Sequence, residues 1–279
     1  MKLSIHVATE VPAPIDQKYL IALLSWHWTR AGHEVIFGPT DSIDADMGIL
    51  HIDRTHIVAD KVPVRPRLTP LLNERVLDIS KKSYSTLRVM PDDDWSGPVI
   101  VKSDLNSFGI PERQNLRLSY WQRKQRKLSK KSWRLARCLP PARYPLLPHL
   151  ANVPKWVWNH PGLIVERFMP ERKGDEYCLR GWIFFGNHSY AYRLFANDYM
   201  VKAGHITGYE ILDGHPAEFE TLRAAHGFDF GKFDYVEVDG KPILLDMNKT
   251  PMIVNENNTP DTPRLRHLAN GLYDFTGGD

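Results

Sequence analysis

The chain has 279 residues, 42% of them hydrophobic and 25% charged, with a formal net charge of +3 at pH 7. That length can bury a large core and form two or three lobes, and the balance of residue types excludes a low-complexity or disordered chain. No apolar run approaches the roughly 20 residues that span a bilayer, and Met1–Val7 reads as a strand rather than a signal sequence. Two cysteines, Cys138 and Cys178, lack metal-ligand spacing; they read as small buried hydrophobes and point to a reducing cytoplasm.

The first third alternates strand and helix. Leu3–Ala8 is an apolar strand, and residues 16–31 carry helical spacing through Tyr19, Leu20, Leu23, Leu24 and His27, with Gly32 as the stop. Glu34–Phe37 and Met47–Ile52 are further strands, so a right-handed parallel crossover is expected. The turn after the first strand, Thr9 to Pro14, holds no glycine, which argues against a dinucleotide fingerprint. His51, Asp53, Arg54, Thr55 and His56 cluster at the C-terminal end of the third strand. Open α/β sheets bind ligands at that edge, so this cluster is a candidate for an acceptor substrate, although satisfied strand-end polar groups are the more ordinary reading. Pro63 to Pro70 forms a proline-punctuated linker, and the segment from Asn73 to Ser83 enters a second lobe, with Lys81-Lys82 in reach of phosphate or simply solvated.

Gly97 to Asp104 reads as a buried strand ending in Lys102, a point charge suited to phosphate oxygens. From Arg113 to Lys155 the chain carries twelve cations (Arg113, Arg117, Arg123, Lys124, Arg126, Lys127, Lys130, Lys131, Arg134, Arg137, Arg143, Lys155), and no acid follows until Glu166. Leu116 to Arg137 has no Pro or Gly, so one basic helix is expected, with Tyr120, Trp121 and Trp133 interleaved. It suits an anionic partner, and a charged solvent face reads as well. Next, Gly162 to Pro170 is a strand ending in Glu166, Phe168 and Met169, followed by Asp175, Glu176 and a long apolar strand through Phe185.

The last strands, Phe233 to Val238 and Lys241 to Asn248, flank Asp239-Gly240, a strong hairpin signal. Strand alternation puts Asp246 and Asn248 on one face. A two-residue turn would place Asp234 on the other face. A three-residue loop ending in a left-handed Gly240 bulge would pair Glu237 with Lys241 and bring Lys232, Asp234, Asp246 and Asn248 together. Oxygen donors without His or Cys suit Mg²⁺ or Mn²⁺ with a nucleotide's phosphates, and a solvated antiparallel face accounts for the same residue types. A polar loop from Asn255 to Pro260, a short helix over 262–273 and a frayed Gly-Gly-Asp end close the chain.

In this order the strand lysine, the Glu166-Arg167-Phe168 linker strand with Glu176 downstream, and the hairpin Phe233-Asp234…Gly240-Lys241-Pro242…Leu245-Asp246-Met247-Asn248-Lys249-Thr250-Pro251 resemble the ATP-grasp superfamily over residues 75–255. The resemblance implies an α/β (α+β) chain with the ATP-grasp fold: two α+β subdomains clasping ATP behind a small doubly wound N-terminal lobe. The lobes would be 1–70, 71–165 and 166–279. It implies that Lys102 contacts the α/β-phosphates, that Glu166, Phe168 and Met169 line the adenine with the backbone after Glu166 bonding the base, and that Glu176 meets the ribose. Lys232 would stand beside the γ-phosphate or the reaction intermediate, and Asp234, Asp246 and Asn248 would hold Mg²⁺ or Mn²⁺. Asp246 replaces the commoner Glu, a reach shorter by one methylene. The glycine-rich lid is reduced to Ser103 to Gly109, with one glycine. The activity implied is an ATP-dependent carboxylate–amine ligase acting through an acyl phosphate. A small-molecule kinase and a non-catalytic nucleotide-binding regulator are the alternatives.

Overall fold

The computed structural model describes residues 1–7, 19–65, 69–113, 118–202, 204–253 and 260–276. The glycine-free turn after the first strand, Arg117, most of the 255–260 loop and the Gly-Gly-Asp end lie outside the described residues, as do residues 16–18 of the expected first helix.

Among the described residues the chain folds into three sheets. The first is all parallel. Its strands β1 (Lys2–His6), β2 (Glu34–Gly38), β3 (Met47–Leu50) and β4 (Leu71–Leu72) lie in the order β2-β1-β3-β4. Helix α1 (Leu20–Arg30) connects the first two; Leu20, Leu23, Leu24 and Trp28 are buried at helical spacing, and Gly32 just past the end has φ +87. That left-handed position is where a glycine ends a helix without steric cost.

The chain then passes through α2 (Lys81–Tyr84) into a small antiparallel sheet, with β5 (Val99–Ser103) central between β6 (Leu146–Leu147) and β7 (Leu163–Arg167). Between β5 and β7 lie α3 (Ile110–Arg113), α4 (Tyr120–Ser129), α5 (Trp133–Ala136) and α6 (Lys155–Trp158). The single basic helix expected from 116 to 137 is therefore two helices among its described residues. Ser119 and Gln122 form a reciprocal capping box at the start of α4, and the Ser132 side chain accepts the Leu135 N–H to open α5. A serine that can cap competes with helix continuation, and absence of Pro and Gly does not remove that competition.

The third sheet runs β11-β10-β9-β12-β13, with β8 (Glu171–Lys173) also paired to β9. Its strands are β9 (Glu176–Phe185), β10 (His188–Ala196), β11 (Ile206–Leu212), β12 (Phe230–Val238) and β13 (Lys241–Asn248). Helices α7 (Glu218–His226) and α8 (Pro263–Asn270) cover its two faces. Trp182, Phe184 and Phe233 pack with Phe219, Val76 and Ile79 on one side; Ile183, Phe185 and Phe230 pack on the other with Leu3, Leu24, Leu265 and Leu268. Covering both faces is what permits the uninterrupted Trp182–Phe185 run. The expected lobe boundaries at 70/71 and 165/166 fall at paired strands, because Leu71–Leu72 joins the first sheet and β7 crosses 165/166.

Helix α8 seats on this arrangement through a close backbone approach. The Trp28 indole donates to the Ala269 carbonyl at 2.9 Å, and a Cβ built on Gly271 would lie 2.0 Å from the Phe185 carbonyl oxygen. Gly271→Ala should therefore force backbone apart and destabilise the protein by about 1–3 kcal/mol, the usual cost of overpacking. Denaturant unfolding checks this, and an unchanged midpoint would show that the contact yields freely.

Candidate active site

The hairpin supplies the site's geometry. Asp239 and Gly240 both have left-handed φ, 52° and 71°, and Val238 pairs directly with Lys241. The turn is thus a plain two-residue turn, and the expected three-residue loop with Glu237 opposite Lys241 does not form; Glu237 faces Pro242. Positive φ at both central residues is the type I′ requirement, which Asp-Gly meets readily. Parity is corrected elsewhere: pairing steps from Tyr235↔Leu244 to Asp234↔Asp246, leaving Leu245 as an extra residue. This bulge puts Asp234 opposite Asp246 and Lys232 opposite Asn248, so all four share a face.

A cleft of about 290 Å³ lies between this hairpin and the β6-β5-β7 sheet. Lys81, Lys102, Phe168, Met169, Asp234 and Asp246 line it, with Phe108, Tyr144, Tyr199 and Lys202. Three lysine–carboxylate pairs surround it. Lys102 Nζ is 2.6 Å from Glu166 Oε2, Lys81 Nζ is 2.9 Å from Asp246 Oδ1, and Lys232 Nζ is 2.9 Å from Asp234 Oδ2. Burial opposes the charge on Lys81, but Asp246, Tyr144 and Glu166 outweigh it and hold the ammonium well above its ordinary pKa. Lys232 is raised in the same way, burial being overcome by Asp234 and Tyr192, while burial pushes Asp234 up against the pull of Lys232.

Other expected site residues are placed differently. Glu166 is only 1% exposed and sits behind the cleft wall, where the Ser85 hydroxyl donates to its Oε1 at 2.6 Å. The amides after it are occupied: Arg167 N–H donates to Leu87 O at 2.8 Å and Phe168 N–H to Pro98 O at 2.9 Å. Glu176 is outside the cleft lining and accepts from the Thr207 hydroxyl, whereas its neighbours Tyr177 and Cys178 line the cleft. Asn248 Oδ1 accepts from the Thr250 N–H at 2.9 Å, and the Thr250 hydroxyl donates to Asp53 at 3.0 Å.

The N-terminal cluster is likewise taken up internally. Asp53 also accepts from the Tyr19 hydroxyl at 2.7 Å, Thr55 donates to Glu112, and His56 pairs with Asp78 at 3.2 Å. His51 is fully buried against Tyr19 and Phe230.

Lys81 and Tyr84 were not singled out as site residues by sequence. Both reach the same Asp246 oxygen, Tyr84 OH at 3.0 Å. The Lys81-Lys82 pair was visible as a phosphate candidate, but only tertiary placement separates Lys81, 3% exposed, from Lys82.

The lid also departs from expectation in how it is built. Ser107, Phe108 and Gly109 are all left-handed, with φ 45°, 61° and 66°. Two non-glycine residues there cost about 1–2 kcal/mol each. The Phe108 ring stacks on Tyr144 at 4.1 Å, Lys202 sits 3.9 Å above it, and the Arg113 guanidinium donates to Gly109 O and Phe108 O.

The donor set fits a hard divalent cation. Asp234 Oδ1 is buried without a hydrogen-bond partner, directly across from Asp246, and Mg²⁺ is usually held by one or two carboxylates with phosphate and water completing the shell. Among the described residues no cluster of three or more His, Cys, Asp or Glu is placed to hold a metal.

No protein-family profile matches the chain, and no curated protein does. Solved structures do match. The macrocyclase MdnC bound with precursor peptide MdnA from Microcystis aeruginosa superposes with TM-score 0.54 at 10% identity, covering 98% of this chain and 99% of that one. A RimK domain ATP-grasp protein from Sphaerobacter thermophilus gives TM-score 0.48 at 12% identity over 99% of both chains. The D-alanine–D-alanine ligase from Bacillus anthracis gives 0.40 at 13%, over 91% and 88%. The chain has the ATP-grasp fold, α+β, as the order of its motifs implied.

Burial lowers the His51 pKa to about 3 from 6.5. Its folded pKa is depressed, so between pH 6.5 and 3 the unfolded chain binds a proton that the native state refuses, and stability falls as pH falls. His51→Asn should flatten this part of the stability–pH curve relative to the parent. Thermal melts from pH 7 to pH 4 measure the difference, and parallel curves would contradict a neutral buried imidazole.

Proposed function

We propose that this protein is an ATP- and Mg²⁺-dependent ligase that activates a carboxylate as an acyl phosphate and passes the acyl group to an amine or other nucleophile. The observation carrying this reading is the Leu245 bulge, which sets Lys232, Asp234 and Asp246 on one face of the hairpin, where Asp234 and Asp246 line the cleft together with Lys81 and Lys102. Phe168 and Met169 offer the adenine an apolar slot. Lys102 and Lys81 would then share their charge between protein carboxylates and phosphate oxygens. Asp234 and Asp246 would hold the metal, which supplies further positive charge to the phosphoryl group. Lys232 is kept protonated beside the transferring group, so it stabilises charge there and does not act as a base.

Lys81 joins the proposed machinery, and Asn248 would enter it with its Oδ1 still accepting from the Thr250 N–H. Glu166 has a different role from direct base contact: it orients Lys102 from behind. MdnC is a macrocyclase bound with a peptide, so peptide carboxylates and amines are the first substrates to test.

ATP with Mg²⁺ should raise the melting temperature by mass action on the native state. ADP release against pooled carboxylates and amines, including peptides, should be nucleophile-dependent; a phosphorylated product with no amide would instead identify a kinase. Asp246→Asn should lower turnover by about a hundredfold or more, since it removes charge from the metal pair. Millimolar ATP and Mg²⁺ that leave both melting temperature and calorimetric heat unchanged would refute nucleotide binding.

Lys102 needs a paired test. Lys102→Met alone strands the buried Glu166 carboxylate, a change that typically costs about 3–5 kcal/mol. The double variant Lys102→Met/Glu166→Gln removes both charges, should keep the fold, and should weaken ATP about tenfold, within the range of one charge-assisted contact. Unaltered ATP affinity by calorimetry would remove Lys102 from the phosphate site.

A further inference from the structure

Behind the lid lies a second cavity, of about 450 Å³, larger than the cleft itself. Its apolar walls include Leu105, Leu139, Pro140 and Trp156, and Phe108 lines both cavities. Arg113, Arg126 and Arg137 border it, and no carboxylate lines it. Residues 113–165 contain no Asp or Glu, and the two acids that flank lining residues in sequence are engaged elsewhere, Asp104 by Lys82 and Glu112 by Thr55.

Three features of this cavity point the same way. Arg126 and Arg137 make no ion pair or side-chain hydrogen bond among the described residues, while Arg113 is used in part by the carbonyls of Phe108 and Gly109. The Trp156 indole nitrogen is buried and has no acceptor among the described residues. The backbone that carries the arginines is held by local structure: Arg126 is on α4, where the adjacent Gln125 side chain donates to Ala136 O at 2.8 Å, and Arg137 occupies a left-handed position with φ 48° closing α5. Like charges gathered around an apolar hollow without counter-charges repel one another, and a buried N–H without an acceptor is costly. Both are relieved by one kind of occupant.

We propose that this cavity is a second binding site, for an organic anion. A carboxylate or phosphate group would be held by Arg126 and Arg137, and an apolar or aromatic body would lie against Leu139, Pro140 and Trp156. Arginine pairs with both groups through parallel N–H donors, so the two share one recognition chemistry. The volume is that of a small-molecule site. A nucleic acid is disfavoured because its charge is spread along a strand, whereas here the unpaired guanidinium groups of Arg126 and Arg137 border one largely apolar hollow. The proposal stands independently of the ligase reading, since it needs neither nucleotide nor turnover.

The test titrates the full-length protein with 8-anilinonaphthalene-1-sulfonate, an aromatic anion whose fluorescence rises in apolar sites. Saturable binding at one site per chain is expected, with benzoate or phenyl phosphate displacing it; which of the two competes better distinguishes a carboxylate from a phosphate ligand. The uncharged N-phenyl-1-naphthylamine should bind at least tenfold more weakly. Arg126→Gln/Arg137→Asn should weaken the sulfonate tenfold or more with circular dichroism and melting temperature unchanged, Asn being chosen because it tolerates the left-handed backbone. As a second probe of the same wall, Leu139→Trp fills the hollow and should also abolish binding. The proposal fails if the double variant binds within twofold of the parent, if the uncharged dye binds as tightly, or if only a single-stranded oligonucleotide displaces the probe. Loss of ATP binding in a protein that still takes up the sulfonate would count against the ligase reading alone.

Discussion

Strand parity governs this molecule. Side chains alternate across a regular strand, so four polar groups from two strands meet on one face only if the count between them is right or a bulge corrects it. With a two-residue turn at Asp239-Gly240 the count is wrong by one, and Leu245 restores it. The location of that correction has a consequence. A bulge at the turn would shift the whole of β13 against β12, whereas one at Leu245 leaves Val236–Ile243 and Val238–Lys241 in ordinary register and re-aims only Asp246 to Asn248. The bulge residue itself faces the cleft, as does Val236. The hairpin is therefore an ordinary ladder at its tip and a site at its base, separated by one residue.

Charge pairing follows from that placement. Three lysines and three carboxylates converge on a partly buried cleft, and each lysine has one carboxylate within 3 Å. Burial alone would neutralise Lys81 and Lys232; the carboxylates keep both charged. Tyr84 shares the Asp246 Oδ1 atom with Lys81, while the Ser85 hydroxyl takes Glu166 Oε1 and leaves Oε2 to Lys102. Such a network holds its positive charge in place before a ligand arrives, so an anionic group entering the cleft would meet preorganised charge. Asp234 Oδ1 is buried with no hydrogen-bond partner among the described residues.

How far these features were legible in sequence depends on the distance over which they are determined. The ladder order, Lys102 on a buried strand, and the Asp234, Asp246 and Asn248 pattern follow from local periodicity and motif order. The hairpin's need for an odd residue was readable too, because parity is arithmetic, but its position was not: nothing in Ile243-Leu244-Leu245 marks Leu245 as the bulge, and Asp239-Gly240 attracts the assignment by its turn chemistry. Lys81 illustrates the other limit. Its burial arises from Asp246, 165 residues away, so sequence shows two adjacent lysines and structure tells them apart. Glu166 and Glu176 show the same limit from the opposite side, since each is claimed by a neighbour, Lys102 or Thr207, that local sequence does not bring near.

The lid connects these threads. A glycine-rich loop reaches left-handed backbone without cost, but this chain reaches it with Ser107 and Phe108 and needs compensation. That compensation comes from groups on both sides of the lid: Tyr144 and Lys202 on the cleft side hold the Phe108 ring, and Arg113 on the other holds its carbonyl. Glu112, next to Arg113, is fastened to Thr55 of the N-terminal lobe at 2.8 and 2.7 Å, and the Asn106 N–H donates to the same threonine hydroxyl at 2.8 Å. A glycine lid can move without reference to its surroundings. This one is strained unless its neighbours stay in place, so its conformation reports on the cleft, on the cavity behind it and on the seating of the N-terminal lobe together. With one glycine in the segment, its position thereby depends on three separate parts of the protein.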